Sequence, residues 1–126
     1  MNTLIRIGLC VIIAGCLLGP AGCAKKADEN TPVPQVQAEA DKMNVEQLKA
    51  KAMEYKNAIV AKKAEIEKVA AKFKGIPITQ QMSAEAKGLQ TDIANLNKSV
   101  AALTERFQVY YNKLKEKGGS VSGLEI

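Results

Sequence analysis

The chain contains no histidine and no tryptophan, and only 4% of its 126 residues are aromatic. Histidine is the commonest general base in enzymes and the commonest protein ligand of transition metals, so its absence removes the usual centre of both kinds of site. The carboxylates are not clustered at the spacing of metal ligands, and no glycine-rich phosphate-binding loop occurs. We therefore expect no enzyme activity, no cofactor, no metal site and no small-molecule substrate.

Cysteine is missing from the chain after residue 23, which excludes a disulfide within the domain that follows. The first six residues carry a positive charge, and Ile7 to Leu18 is uncharged and mostly apolar. This apolar run is too short to span a bilayer core of about 30 Å, which needs ~20 helical residues. Its length is typical of a signal peptide, although counting the apolar stretch on through Ala24 leaves an uncleaved anchor as an alternative.

Two cysteines follow small residues near the end of this segment. Ile13-Ala14-Gly15 precedes Cys16, and Pro20-Ala21-Gly22 precedes Cys23. Residues 1–23 resemble the signal peptide of bacterial lipoproteins, in which such a cysteine is diacylated and becomes the mature N-terminus. We favour Cys23, because cleavage before it leaves an apolar region of normal length. Because Pro20 departs from the usual motif, two alternatives stay open. The lipid is attached to Cys16, or the chain is secreted without a lipid.

The resemblance implies an exported protein that a lipid holds in the membrane of the cell envelope. The residue after Cys23 is Ala24 and not the aspartate associated with retention in the inner membrane, so the periplasmic side of the outer membrane is favoured. The net charge of +5 would suit nucleic acid in a chain that stays inside the cell. An exported chain with few aromatic residues for base stacking argues against nucleic acid as a partner.

The mature part of the sequence is dominated by apolar residues that recur at alternating spacings of three and four. Such a heptad pattern predicts helices that pack along an apolar seam. We predict an all-α fold in which two long antiparallel helices form a coiled-coil hairpin, preceded by a signal peptide and a flexible tether. The predicted interaction seam consists of Leu48, Tyr55, Ile59, Ile66, Phe73, Leu89, Ile93, Leu96, Leu103, Phe107, Tyr110 and Leu114.

Capping residues set the predicted boundaries. Asn44 and Gln47 form a capping box at the start of the first helix, and Gly75, able to adopt a left-handed conformation, ends it together with Pro77. Ser83 is the expected cap of the second helix. The predicted segments are a signal peptide at 1–22, a lipid-anchored flexible tether at 23–43, a hairpin at 44–117 (helix 44–74, turn 75–83, helix 84–117) and a flexible tail at 118–126.

The pairing of the two helices is less well determined by the sequence. One register makes Tyr55 face Phe107, and registers shifted by three or four residues are also compatible with the seam. An isolated two-helix hairpin gains little beyond its cost in conformational entropy, so we expect a homo-oligomer or a helical protein partner. Apolar residues off the seam would be buried in a four-helix dimer: Met53, Val60, Val109 and Tyr111.

These features predict a membrane-anchored envelope lipoprotein that acts as a non-catalytic structural or protein-interaction module. The alternative is a periplasmic holdase-like chaperone, or a binding module for unfolded proteins or anionic polymers. This second interpretation depends on the excess of lysine in the first helix.

Overall fold

The computed structural model describes residues 26–126, so the predicted signal peptide and both candidate lipidation sites, Cys16 and Cys23, lie outside the described residues. The described chain forms three α-helices: α1 (Val33–Lys42), α2 (Val45–Lys74) and α3 (Ala84–Glu116). A short 3-10 helix, Ile78–Gln80, lies between α2 and α3, and no strand occurs within residues 26–126. The all-helical class is confirmed, but residues 26–126 contain three α-helices where the sequence predicted two.

The capping box predicted for α2 is present. The Asn44 side chain accepts a hydrogen bond from the backbone N–H of Gln47 at 2.9 Å, and the Gln47 side chain accepts one from the backbone N–H of Asn44 at 3.1 Å. Each bond satisfies a donor that the first helical turn leaves unpaired. The side chain of Ser83 caps α3 in the same way by accepting from the backbone N–H of Ala86 at 3.3 Å.

The ends of the two long helices differ from one another. Gly75 does not adopt the left-handed conformation that we expected, because its φ is −75°. Pro77, which has no N–H to continue the helix, accounts for the end of α2. At the end of α3, Gly118 has a φ of 73° and donates to the Lys115 carbonyl, while Gly119 donates to the Leu114 carbonyl. These two bonds form a Schellman motif, for which a glycine with positive φ is the usual residue.

The hydrophobic core occupies one end of the molecule, which we call the base. The base comprises α1, α2 up to Ile59, α3 from Val100 onward, and the C-terminal residues. Val45 at the start of α2 approaches Gly119 just after α3, and farther along the Tyr55 ring packs on the Tyr110 ring at 5.5 Å. The buried core residues are Val36, Ala40, Leu48, Ala52, Tyr55, Ile59, Leu103, Phe107, Tyr110, Leu114 and Leu124.

The predicted tether at 23–43 is wrong for its described part, since α1 packs against α3 and buries Val36 and Ala40 completely. Those two residues are four apart and therefore lie on one helical face. Pro32 and Pro34 lie within the segment predicted to be a flexible tether, and proline inside a helix would break it. They stand at the beginning of α1, where the first-turn N–H groups have no partner within the helix, so the missing donors cost nothing.

The predicted flexible tail at 118–126 is also wrong, because its Leu124 is buried in the same core. Gly123 turns the chain with a φ of 83°, and its carbonyl accepts a hydrogen bond from Lys56 Nζ at 2.7 Å. The tail thus packs against the side of α2 that carries Met53, whose terminal methyl group lies near Gly123.

The pairing between α2 and α3 differs from the first register considered. Tyr55 packs on Tyr110, which is three residues beyond Phe107. In this register both tyrosine hydroxyls contact residues that precede α2. The Tyr55 hydroxyl bonds to Asp28, and the Tyr110 hydroxyl bonds to Glu39 of α1. A heptad pattern of two helices contains no information on these contacts with a third layer.

The other end of the molecule, residues 60–99, has almost no buried core, and we call it the arm. Within those residues Ala86 alone is buried. The seam residues Ile66, Phe73, Leu89, Ile93 and Leu96 are half-buried, and Val60 is 50% exposed. The arm is therefore a pair of helices without the third layer that covers the base.

The close approach of Gly119 to its neighbours generates a stability prediction. A Cβ at this position would clash with the buried Leu114 side chain and lie 2.8 Å from Val45 Cγ1. We expect Gly119→Ala to lower the free energy of unfolding by about 1–3 kcal/mol, as overpacking of a core does. Urea denaturation followed by far-ultraviolet circular dichroism measures this change.

Gly88→Ala is the matched control, because nothing lies within 4 Å of a Cβ added to Gly88 on α3. Replacing a glycine inside a helix should raise the free energy of unfolding by about 0.5–1 kcal/mol. A Gly119→Ala variant as stable as the original chain would contradict the prediction and show that Leu114 and Val45 can separate.

Candidate interaction surface

The turn between α2 and α3 exposes two large apolar side chains at the tip of the arm. Ile78 is 84% exposed and Met82 is 80% exposed, one at the start of the 3-10 helix and the other just after it. Large aliphatic side chains lose favourable burial energy when they remain in water, about 1.5–3 kcal/mol for each. The tip is therefore suited to contact with another apolar surface.

A groove of about 530 Å³ runs along one side of the arm between α2 and α3. Val69 and Leu96 provide its apolar part, and the surrounding positions are polar or charged. Lys62 pairs with Glu65 at 3.3 Å on the rim. The complete lining consists of Lys62, Glu65, Lys68, Val69, Lys72, Asp92, Asn95, Leu96 and Ser99.

The groove of the arm lies on a face of α2 that continues into the base. We call residues 26–31 the N-terminal segment. Lys51 and Ala58 of α2 line recesses beside this segment, and Lys62 and Val69 line the open groove of the arm. These four positions are separated by seven, four and seven residues, so they lie on one face of α2. In the base residues 26–31 lie beside this face, whereas in the arm none of the described residues does.

Arg106 binds the N-terminal segment beside this face. Its Nε donates to the Thr31 carbonyl at 2.7 Å, and its Nη1 donates to the Ala102 carbonyl at 2.7 Å. The residue is only 8% exposed, and Glu105 lies 3.9 Å from Nη1. Sequence reasoning missed this residue, although Arg106 is the only arginine after Arg6 in a chain whose other cations are lysines. A planar guanidinium donates in two directions at once, which a lysine ammonium does less well.

Two buried tyrosines bind the N-terminal segment and α1. The Tyr55 hydroxyl donates to the Asp28 carbonyl at 3.2 Å and accepts from the Asp28 N–H at 3.3 Å, while the Tyr110 hydroxyl donates to Glu39 at 3.5 Å. Burial raises the pKa of Tyr55, and burial together with Tyr55 and Glu39 raises the pKa of Tyr110. The shifts extend the pH range over which both hydroxyls stay protonated to more alkaline pH than that of a free tyrosine.

Charged groups fix the other end of α1 beside the end of α3. Lys113 contacts Asp41 and Glu116, each at 2.8 Å, and Lys117 Nζ donates to the Met43 carbonyl at 2.6 Å. The hydrogen bond and charge of Lys113 lower the pKa of Asp41, and the same contact raises the pKa of Lys113. These groups are near the surface, so they orient α1 more than they stabilise it.

The predicted seam is divided between the two ends of the molecule. Leu48, Tyr55, Ile59, Leu103, Phe107, Tyr110 and Leu114 are buried in the base, where they form core. Ile66, Phe73, Leu89, Ile93 and Leu96 are half-buried in the arm, where they remain available to a further partner. The sequence did not single out Ile78 and Met82 at the tip.

Within residues 26–126, no group of three or more histidine, cysteine, aspartate or glutamate side chains is placed to hold a metal ion. None of the helices in the same range is long and apolar enough to cross a membrane. That the chain is not an enzyme stays a prediction.

Comparison with known proteins gives no relative from which a function could be transferred. The chain matches no family model, no curated protein and no solved structure. The candidate surface is therefore identified from the structure alone. It consists of an open groove and an apolar tip on the arm, which extends from a base with a buried core.

Arg106→Ala should release the N-terminal segment from the base. A hydrogen bond to a charged group contributes about 1.5–3 kcal/mol, so amide exchange in residues 28–36 should accelerate by roughly ten- to a hundredfold. Hydrogen exchange followed by mass spectrometry measures this change. Lys98→Ala, at an exposed position of α3, is the control and should leave the exchange of this segment unchanged. Equal protection in the two variants would contradict the role given to Arg106.

Proposed function

We propose that the chain is a lipid-anchored protein of the cell envelope that acts as a non-catalytic structural or protein-interaction module. In this proposal α2 and α3 act as an antiparallel coiled-coil hairpin, and the tip of the arm provides the contact surface. The observation that supports it best is the contrast between the two ends. The base buries its own apolar faces, whereas the arm leaves its seam half-exposed and presents Ile78 and Met82 at its tip.

The membrane anchor in this proposal is a lipid on Cys23, exposed by removal of residues 1–22. It is supported by the resemblance of residues 1–23 to lipoprotein signal peptides. The favoured location is the outer membrane, facing the periplasm.

Mass spectrometry of the mature protein tests the anchor. We expect a chain that begins at Cys23 and carries the mass of a diacylglyceryl group. Cys23→Ser should abolish this processing, because the serine hydroxyl does not replace the thiol that receives the lipid. Cys16→Ser is the matched control and should be processed normally. An unmodified N-terminus at Ala24 or later, or a lipid on Cys16, would contradict the assignment to Cys23.

The partner in this proposal is a second copy of the chain or a helical segment of another protein. In the base Val45 and Ile126 are exposed at 36% and 49%, less than Ile78 and Met82 at the tip, which are exposed at 84% and 80%. Of the off-seam residues that we expected in a dimer, Met53 and Tyr111 lie beside the tail, and Val109 lines a recess with α1. Val60 alone is mostly exposed, at the beginning of the arm. The contact is therefore assigned to the apolar tip of the arm.

A photoreactive amino acid at Ile78 or Met82 tests this contact in cells. We expect crosslinked products at both positions, because burial of exposed apolar side chains in a partner is favourable. Lys87, exposed on the outer side of α3, is the control position and should give less product. A product of twice the chain mass indicates self-association, and a single product of another mass indicates a helical partner. Equal yields at Ile78, Met82 and Lys87 would contradict the role of the tip.

The holdase-like alternative is favoured by one feature of the arm and α2. Eight lysines stand against four glutamates on α2, which leads toward an apolar tip, a combination suited to unfolded chains with acidic segments. The same crosslinking experiment distinguishes this alternative, since a holdase gives a broad distribution of products where a specific partner gives one.

A further inference from the structure

The described chain begins beside the middle of α2. Lys26 and Ala27 line a recess with Glu54, Asn57 and Ala58. Ala58 lies near the centre of the helix Val45–Lys74. The polypeptide therefore reaches the folded body at the junction of base and arm, and not at either end of the molecule.

The residues that follow Lys26 are bound to the body and provide no slack. Ala27 packs against the core, Asp28 exchanges two hydrogen bonds with the Tyr55 hydroxyl, and the Thr31 carbonyl accepts from Arg106. A lipid on Cys23 would thus be separated from the body only by Ala24 and Lys25.

The reach of this connection decides how the body stands relative to a bilayer. From Cys23 to Lys26 the chain advances by three residues, which span at most about 10 Å. Ala58 lies about 20 Å from the start of α2 and about 24 Å from its end, at 1.5 Å per residue. With either end of the molecule on the membrane and its long axis upright, Cys23 could not reach the bilayer surface.

We infer that the mature protein lies along the membrane surface, with the side of α2 and α3 that carries Lys26 and the groove of the arm facing the phospholipid headgroups. This inference rests on the proposed lipid at Cys23. The anchor then holds the body at its middle through a short connection, in contrast to the flexible tether at 23–43 that the sequence predicted.

The chemistry of the facing surface is compatible with phospholipid headgroups. Lys62, Lys68 and Lys72 line the groove, and long lysine stems can lie on apolar surface while their ammonium groups reach phosphate oxygens. Glu65 and Asp92 line it as well, so the excess of positive charge is small. The short connection, and not electrostatic attraction, sets the orientation.

Two neighbouring asparagines on α3 provide matched positions for a test. Asn95 lines the groove, and Asn97 is two residues farther along, which places it about 200° around the helix. Both are exposed. Once residues 1–22 are removed, Cys23 is the only native cysteine and its sulfur carries the lipid, so Asn95→Cys and Asn97→Cys each provide one free thiol for a fluorophore.

The experiment uses the lipidated protein in vesicles of phosphatidylethanolamine and phosphatidylglycerol that contain a quencher attached to the lipid headgroup. We expect the fluorophore at residue 95 to be quenched at least threefold more than the fluorophore at residue 97. Insertion of ten Gly and Ser residues after Ala24 is the control. It lengthens the connection enough for free rotation, so the difference between the two positions should disappear.

The possible results separate this inference from the proposal on which it rests. Lipidated protein with equal quenching at residues 95 and 97 would overturn the orientation and leave the lipid anchor intact. A preparation whose mass shows no lipid on Cys23 would overturn both. A difference that persists unchanged in the variant with the insertion would overturn the role of the short connection.

Discussion

The folded state depends on the burial of apolar side chains between the α2–α3 pair and two short segments that cover it in the base. α1 contributes Val36 and Ala40, and the C-terminal tail contributes Leu124, each with 1% exposure or less. Two long helices alone would leave the outer sides of their seam in water. The covering segments convert a marginal pair of helices into a core with three layers, and the polar contacts of Arg106, Tyr55 and Tyr110 fix the position of α1.

The limited length of the covering segments creates two parts with different properties. α1 has ten residues and α3 has 33, so the cover ends about where the arm begins. Regions with few buried contacts open at a lower free energy than the core that supports them. The arm is thus the part of the molecule that can adapt its seam to a partner, while the base maintains its own fold.

Much of the helical plan could be predicted from the sequence, because the heptad spacing and the caps act over short range. Asn44 with Gln47, and Ser83, mark helix starts that the structure confirms. The segments that cover the base were missed for physical reasons. Pro32 and Pro34 stand at the start of α1, where proline is compatible with a helix that its presence elsewhere would break. The tail has a single large buried residue, Leu124, which gives no periodicity.

The candidate surface was predictable only in part. The arm residues of the seam were identified by their spacing, but whether a seam residue becomes core or stays half-exposed depends on a third layer that the pattern of two helices does not contain. Arg106 could have been noticed as the one arginine in a lysine-rich domain. Its partners, the carbonyls of Thr31 and Ala102, are backbone atoms that no side-chain pattern reports.

The distribution of aromatic residues gives the base and the arm different optical properties. The tyrosines of the chain, Tyr55, Tyr110 and Tyr111, all belong to the base, and the chain has no tryptophan. Intrinsic fluorescence therefore reports on the base, and Phe73 is the one aromatic residue of the arm. An arm that melts first would be invisible to tyrosine emission and visible only in the backbone signal, so two-state unfolding cannot be inferred for this protein from a single optical probe.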